Sequence, residues 1–152
     1  MATTGSKVKK IKKENLTVVL PTLNESQNII SLIEKILKLK SIFNLEIIIV
    51  DDESCDGTAD LVRKLSLSNR NIRLINRIGR FGLSSAIKEG VLNSCSKYIA
   101  VLDADGQHDP KAIKQAYKKL ISKNLDLVLG SRFISNSEIK GLSEKRKRSS
   151  EF

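Results

Sequence analysis

Two aspartates placed one residue apart at the end of an apolar run suit metal chemistry. The segment VLDADGQHDP, residues 101–110, contains Asp103 and Asp105. In an extended segment residues i and i+2 point to the same side, so both carboxylates should project together. At an effective dielectric of about 20, two charges about 5 Å apart repel by roughly 3 kcal/mol, which favours a bound cation, a basic partner or a shared proton. With the Gln107 amide as a further oxygen donor, this set suits Mg²⁺ or Mn²⁺ beside substrate phosphates.

Such a pair is weak support when taken alone. A chain of 152 residues with 17 acids often contains two aspartates this close in a solvated turn. The adjoining His108, the only histidine, is interpreted as a loop or supporting residue rather than a metal ligand, because oxygen donors suffice for Mg²⁺. The interpretation therefore depends on the elements that position these residues.

Five short aliphatic runs predict β-strands, and helical patterns lie between them. The predicted strands cover residues 16–20, 45–50, 72–76, 98–103 and 125–130.

Two of the helices have start signals. Residues 25–40 show mostly helical spacing after Asn24, which with Gln27 predicts an N-cap, and Asp109 before Pro110 predicts the start of a helix over 111–122. Strict alternation of strands and helices predicts an α/β fold with an open, mainly parallel sheet flanked by helices.

Polar segments follow every predicted strand, as the binding edge of such a sheet requires. In DDESCDGT, residues 51–58, Asp51 or Asp52 could accept hydrogen bonds from a nucleobase or a ribose, whereas Asp56 with Gly57 predicts a turn and helix cap.

A glycine-bearing loop follows the third predicted strand. In RIGRFGLSSA, Gly79 and Gly82 would allow close approach of a ligand ahead of a helix N-terminus that favours anions. A flexible loop with solvated Arg77 and Arg80 is the alternative. After the fifth strand, Arg132 could bind phosphate bidentately or pair with a surface acid.

The net charge of +10 lies mainly at the ends of the chain. Residues 1–13 carry +5, whereas residues 14–133 carry only +3. Nucleic-acid binding is disfavoured, because four Phe, two Tyr and no Trp offer few stacking platforms. The basic arm either binds an anionic membrane surface peripherally or is a solubilising segment. No apolar stretch is long enough for a membrane-spanning helix, and Cys55 and Cys95 are expected to be reduced thiols, so the expected location is cytoplasmic, at most on the cytoplasmic face of a membrane.

Together the motifs resemble glycosyltransferase family 2, and within it the branch that transfers sugars to dolichyl and other polyprenyl phosphates. The matching segments, in order, are VVLPTLNE, IIIVDDESCDGT, RIGRFGLSSAIKEG, VLDADGQHDP and LVLGSRF. The resemblance covers residues 16 to about 150. Two positions depart from the family's frequent residues, with Leu23 in place of tyrosine and Glu53 in place of glycine.

The resemblance implies a GT-A fold that binds a GDP- or UDP-linked sugar through its diphosphate and a divalent metal, Mg²⁺ or Mn²⁺. Asp105 and Gln107 would ligate the metal, and Asp103, Asp105 and Arg132 would carry the catalytic chemistry. The residues implied to border the nucleotide sugar or grip its phosphates are Pro21, Thr22, Asn24, Glu25, Asp52, Asp103, Ala104, Asp105, Arg132 and Arg146. The implied reaction inverts the anomeric configuration of mannose or glucose on transfer to a polyprenyl phosphate.

The expected organisation is a basic flexible arm at 1–14, a nucleotide-sugar-binding core at 15–133 and a basic polar tail at 134–152, truncated before an acceptor-binding region. Three alternatives remain open. They are a truncated nucleotide-sugar-binding module without turnover, a glycosyltransferase that acts on a hydroxyl acceptor, and a phosphorylation-switch receiver domain, which also places an acidic pair after a parallel strand.

Overall fold

Strands and helices alternate through residues 13–130, the part of the chain that the computed structural model describes. The strands are β1 (Asn15–Thr22), β2 (Asn44–Asp51), β3 (Ile72–Asn76) and β4 (Tyr98–Val101). The helices are α1 (Ile29–Leu37), which a 3₁₀ turn at Lys38–Ser41 extends, α2 (Thr58–Ser68), α3 (Leu83–Leu92) and α4 (Lys111–Ser122).

The four strands form one open parallel sheet in the order β3-β2-β1-β4. Thr22 at the end of β1 is in register with Asp51 at the end of β2, and Asp51 is in register with Asn76 at the end of β3. The carboxyl ends of the strands therefore meet at one edge of the sheet. The predicted open parallel α/β fold is confirmed.

Both faces of the sheet are apolar, because β1 and β2 are buried almost throughout. On one face, Val18, Leu20 and Ile47 pack with residues of α1, α2 and α4 in the larger core cluster. On the other face, Val19, Ile48 and Val50 pack with Ala86 of α3.

Gly90 lets α3 lie close to the sheet. A Cβ atom added there would fall 2.4 Å from Val19 Cγ1 and 3.1 Å from Val50 Cγ2, so no larger residue fits without displacing the helix.

The predicted fifth strand is wrong within the described chain. Residues 125–130 have no regular secondary structure, and the Leu127 and Leu129 side chains are exposed. An apolar run forms a strand only when a neighbouring edge accepts its backbone hydrogen bonds, and β4 pairs with β1 alone among the described strands.

The predicted start of α1 is also wrong. The helix begins at Ile29 with Asn28 as N-cap, and Asn24 instead has a left-handed backbone with φ 58°. In contrast, α4 covers the predicted residues 111–122, and the Asp109 carboxylate accepts the Lys111 N–H at 2.9 Å.

The predicted arm and tail lie outside the described residues apart from 13 and 14, so their limits stay predictions. Between residues 13 and 130, no helix has the length and hydropathy to cross a membrane. Cys55 and Cys95 are exposed free thiols, as expected.

Candidate functional site

The end of β2 is tied to the end of β1 through a buried carboxylate. Asp51 is completely buried, and its Oδ1 accepts hydrogen bonds from the hydroxyls of Thr22 at 2.8 Å and Ser54 at 2.6 Å. Its Oδ2 accepts the Ser54 N–H at 2.9 Å. The Asp51 side chain therefore holds together the end of β1 and the loop that follows β2. These segments form part of the rim, the edge of the sheet at which the strands end. Pro21 and Thr22 are buried together with Asp51.

Asn24, predicted to border the nucleotide, links the loops that follow β1 and β2. Its side-chain Oδ1 accepts the Cys55 N–H at 3.0 Å, and its own N–H donates to Ser54 Oγ at 2.8 Å. Asn24 is exposed, so this link lies at the surface of the rim.

A second link lies at the start of α2. Asp56 accepts the Ser26 N–H at 2.9 Å on one oxygen and the N–H and hydroxyl of Thr58 on the other. The hydrogen bond from the Thr58 hydroxyl, with those from Ser26, holds the pKa of Asp56 well below its usual range. Gly57, with φ 90°, is the helix cap, which confirms the predicted turn. The Thr58 hydroxyl also accepts the N–H of Glu25, another predicted site residue.

Asp52 lies in a buried ion pair with Arg77. Arg77 Nη1 is 2.7 Å from Asp52 Oδ1, and the two side chains are only 3% and 8% exposed. Asp52 Oδ2 accepts the Gly82 N–H at 2.8 Å. Both oxygens of Asp52, predicted to lie near the base or ribose, therefore already bind the loop that follows β3.

The rest of the Arg77 guanidinium is held by α3. Nη2 donates to Ser85 Oγ at 2.6 Å, while Nε lies 3.4 Å from Glu89 Oε2 without hydrogen-bond geometry. Glu89 also pairs with the exposed Arg80 at 3.2 Å. Of the two arginines in this loop, the structure thus buries Arg77 inside the protein and leaves Arg80 at the surface.

Asp103 and Asp105 are the exposed neighbours, in the sequence, of a buried alanine. Ala104 is 3% exposed and packs in the larger core cluster, whereas both aspartates are exposed. Both acids thus lie at the surface, while the predicted projection of the two carboxylates to the same side stays a prediction. Asp105 Oδ1 accepts the N–H of Gln107 at 2.9 Å, and His108 Nε2 lies 3.5 Å from Asp103 Oδ2.

Asn28 lies close to both this acidic loop and the loop after β1. Its Nδ2 donates to Glu25 Oε2 at 3.1 Å, and its Oδ1 lies 3.5 Å from the position of a Cβ on Gly106, which has φ 74°. Sequence reasoning missed Asn28, and no local signal marks it. Arg77 could have been paired with Asp52, because each is the first residue after one of two adjacent parallel strands.

The side-chain oxygens after β4 suit a hard divalent cation whose coordination is completed by oxygens of a substrate. Within residues 13–130 no three His, Cys, Asp or Glu side chains gather around a common point, so the described protein does not form a closed metal cage. Mg²⁺ is commonly held by one or two carboxylates together with substrate phosphates and water. The exposed carboxylates of Asp103 and Asp105 meet that need, and the predicted ligation by Asp105 and Gln107 stays a prediction. Arg132 and Arg146 lie outside the described residues.

Comparison with known proteins identifies the family. The profile of "Glycosyl transferase family 2" matches residues 17–150. The chain belongs to this family. Among curated glycosyltransferases, the dolichol-phosphate mannosyltransferase of Pyrococcus furiosus is 33% identical over 124 residues, covering 82% of this chain and 35% of the relative. The enzyme of the same name from Mycosarcoma maydis is 32% identical over 123 residues, covering 77% and 42%.

Solved glycosyltransferase structures share the fold. The mannosyltransferase PcManGT from Pyrobaculum calidifontis, in complex with GDP-Man and Mn²⁺, superposes with a TM-score of 0.60 at 23% identity over 72% of this chain and 33% of that one. Glucosyl-3-phosphoglycerate synthase from Mycobacterium tuberculosis, in complex with Mn²⁺, UDP and glucosyl-3-phosphoglycerate, gives a TM-score of 0.57 at 23% identity over 72% and 40%. The family membership and the GT-A fold that the motifs predicted are confirmed. The chain spans less than half the length of these four proteins.

Proposed function

We propose that this glycosyltransferase chain is the donor-binding core of an inverting enzyme that transfers mannose or glucose from a nucleoside-diphosphate sugar to a polyprenyl phosphate. The observation that carries the proposal is the pair of exposed carboxylates, Asp103 and Asp105, at the binding edge of a family 2 fold. The dolichol-phosphate mannosyltransferases at 32 and 33% identity support the sugar and the acceptor.

The donor would lie along the edge formed by the strand ends. Asp105 and Gln107, with Asp103 beside them, would hold a divalent cation against the diphosphate, while Asn24 and Glu25 would border the nucleotide. When bound, the cation supplies Lewis-acid stabilisation of the negative charge that develops on the leaving group. Arg132 would contact the same phosphates through its guanidinium, which stays charged at neutral pH.

In the proposed reaction an acceptor oxygen forms a bond to the anomeric carbon as the bond from that carbon to the diphosphate oxygen breaks. The nucleoside diphosphate leaves with the bonding electrons from the opposite face, so the configuration inverts. A polyprenyl phosphate is already an anion near neutral pH and requires no proton transfer to a base. A hydroxyl acceptor would require a positioned carboxylate or imidazole.

A small phosphorylated acceptor is the second candidate, because the solved glucosyl-3-phosphoglycerate synthase shares the fold. Both candidates are tested by incubating the chain with labelled GDP-mannose or UDP-glucose, Mn²⁺, and either polyprenyl phosphate in detergent or 3-phosphoglycerate. Label in the lipid fraction with inverted anomeric configuration supports the first candidate. Label found only in phosphoglycerate would replace it with the second, and donor binding without transfer to either acceptor would leave a binding module.

Peripheral membrane binding is part of the same proposal. It is supported by the five lysines of residues 1–13 and by the lipid nature of the proposed acceptor. Sedimentation with vesicles of neutral lipid and with vesicles that contain anionic lipid tests it, and equal binding to both would contradict an electrostatic contribution.

A further inference from the structure

Glu53 has an unusual backbone for a residue with a large side chain. Its φ is 58°, in the left-handed region that glycine adopts freely and other residues seldom occupy. The chain therefore places a carboxylate where the backbone disfavours any side chain. Strained residues of this kind are concentrated at sites of function.

The Glu53 carboxylate faces outward, unlike the two aspartates that precede it. Asp51 and Asp52 are buried, and both oxygens of each accept hydrogen bonds from within the protein. Glu53 is exposed, and its Oε2 accepts the Gly79 N–H at 3.1 Å. No other residue between 13 and 130 donates a hydrogen bond to Glu53, which leaves Oε1 accessible to a ligand.

The contact with Gly79 fixes the direction of this carboxylate. Gly79 has φ 63°, and a Cβ atom placed on it would meet nothing within 4 Å, so the space beside the contact is open. Glu53 thus links the loop that follows β2 to the loop that follows β3. Its Oε2 is fixed by the Gly79 N–H, and the space beside this contact is open.

The position of Glu53 on the rim suits a nucleobase. β2 is separated from β4 by β1, so these two strands are two strand spacings of about 4.8 Å, or roughly 10 Å, apart, and Glu53 follows one of them while the aspartates follow the other. A nucleotide whose diphosphate lies at Asp105 and which extends along the edge reaches β2 and β3 with its base.

We propose that Glu53 reads the base of the donor nucleotide and favours guanine over uracil; this inference rests on the proposed donor site. Guanine presents two adjacent donors, N1–H and the 2-amino group, which a carboxylate can accept together. Uracil presents a single N–H between two carbonyl oxygens, and these oxygens repel a carboxylate. A bidentate contact of this kind corresponds to roughly tenfold discrimination.

The test is calorimetric titration of the full chain with GDP and with UDP in the presence of Mn²⁺. Glu53→Gln keeps the size of the side chain and an oxygen for the Gly79 N–H, but it replaces the other oxygen with a donor. We expect the unaltered chain to bind GDP roughly tenfold more tightly than UDP, and the variant to bind both within a factor of about two. Glu34→Gln removes the same charge from an exposed position on α1 and should leave the ratio unchanged.

The outcomes separate this inference from the function on which it rests. If the unaltered chain binds both nucleotides equally, prefers UDP, or keeps its GDP preference in Glu53→Gln, Glu53 does not select the base. Binding of neither nucleotide by the folded chain would overturn the donor site itself. If Glu53 serves only to hold the two loops together, Glu53→Gln lowers the melting temperature with an unchanged GDP to UDP ratio, which also overturns the inference.

Discussion

Arg77 Nη1 lies 2.7 Å from Asp52 Oδ1, and this buried ion pair joins the end of β2 to the loop that follows β3. Asp52 Oδ2 also accepts the Gly82 N–H, so one carboxylate fixes both ends of the loop. The shape of the rim between β2 and β3 depends on this pair.

Removal of Arg77 should therefore destabilise the protein strongly. Arg77→Met leaves the Asp52 charge buried without a counter-ion, and breaking a buried pair in this way costs about 3–5 kcal/mol. Arg63→Met is the matched control, because Arg63 pairs with Asp60 on the exposed surface of α2, where such pairs contribute about 0–1 kcal/mol. Urea unfolding followed by circular dichroism measures both. Similar losses in the two variants would show that the buried pair has no special role.

A second prediction concerns the contact of α3 with the sheet. Gly90→Ala places a methyl group within 2.4 Å of Val19 Cγ1, and overpacking of this kind costs about 1–3 kcal/mol. In an unhindered helix the same change would stabilise by about 1 kcal/mol, so the sign of the effect is informative. Gly130→Ala, where an added Cβ meets nothing within 4 Å, should leave the thermal unfolding midpoint unchanged. A raised midpoint for Gly90→Ala would contradict the close packing.

The elements most accurately predicted are those whose signals are local. β3 and α4 occupy the predicted residues 72–76 and 111–122, because apolar periodicity and an Asp-Pro start depend only on neighbouring residues. The start of α1 was misplaced because the Asn24 side chain binds Cys55, which lies 31 residues away. The prediction of a strand over residues 125–130 was wrong for a related reason. A strand needs a neighbouring strand for its backbone hydrogen bonds, and sequence periodicity does not reveal whether one is present.

The exposure of the two aspartates after β4 was predictable for the same local reason. An aspartate on each side of an alanine, at the end of an apolar strand, indicated which side chains would be exposed, and Ala104 is buried between them. The roles of the acids after β2 were not predictable from spacing. Asp51 accepts hydrogen bonds from Thr22 and Ser54, and Asp52 accepts one from Arg77, whereas Glu53 is exposed.

The link between Asp56 and Thr58 predicts a pH dependence. Because the folded state lowers the pKa of Asp56, its contribution to stability is complete above the pKa of an unfolded aspartate, about 3.9, and is lost as the pH falls through the lower folded value. Thr58→Ala should raise the titration midpoint of the Asp56 carboxyl in an NMR titration, whereas Ser31→Ala, on the exposed side of α1, should leave it unchanged. An unaltered Asp56 midpoint in Thr58→Ala would show that the hydroxyl does not cause the shift.

The sharpest measurement of the donor site compares two aspartates of one loop. Asp105→Asn removes the negative charge of a proposed metal ligand but keeps an acceptor for the Gln107 N–H, while Asp109→Asn removes the same charge and keeps an acceptor for the Lys111 N–H. Titration with GDP-mannose and with UDP-glucose, with and without Mn²⁺, should show one donor that binds the unaltered chain and Asp109→Asn only with the metal. Asp105→Asn should lose that metal dependence with at least a tenfold loss of affinity in Mn²⁺. Equal donor binding with and without Mn²⁺ in the unaltered chain, or unchanged behaviour of Asp105→Asn, would contradict a metal-bridged donor site after β4.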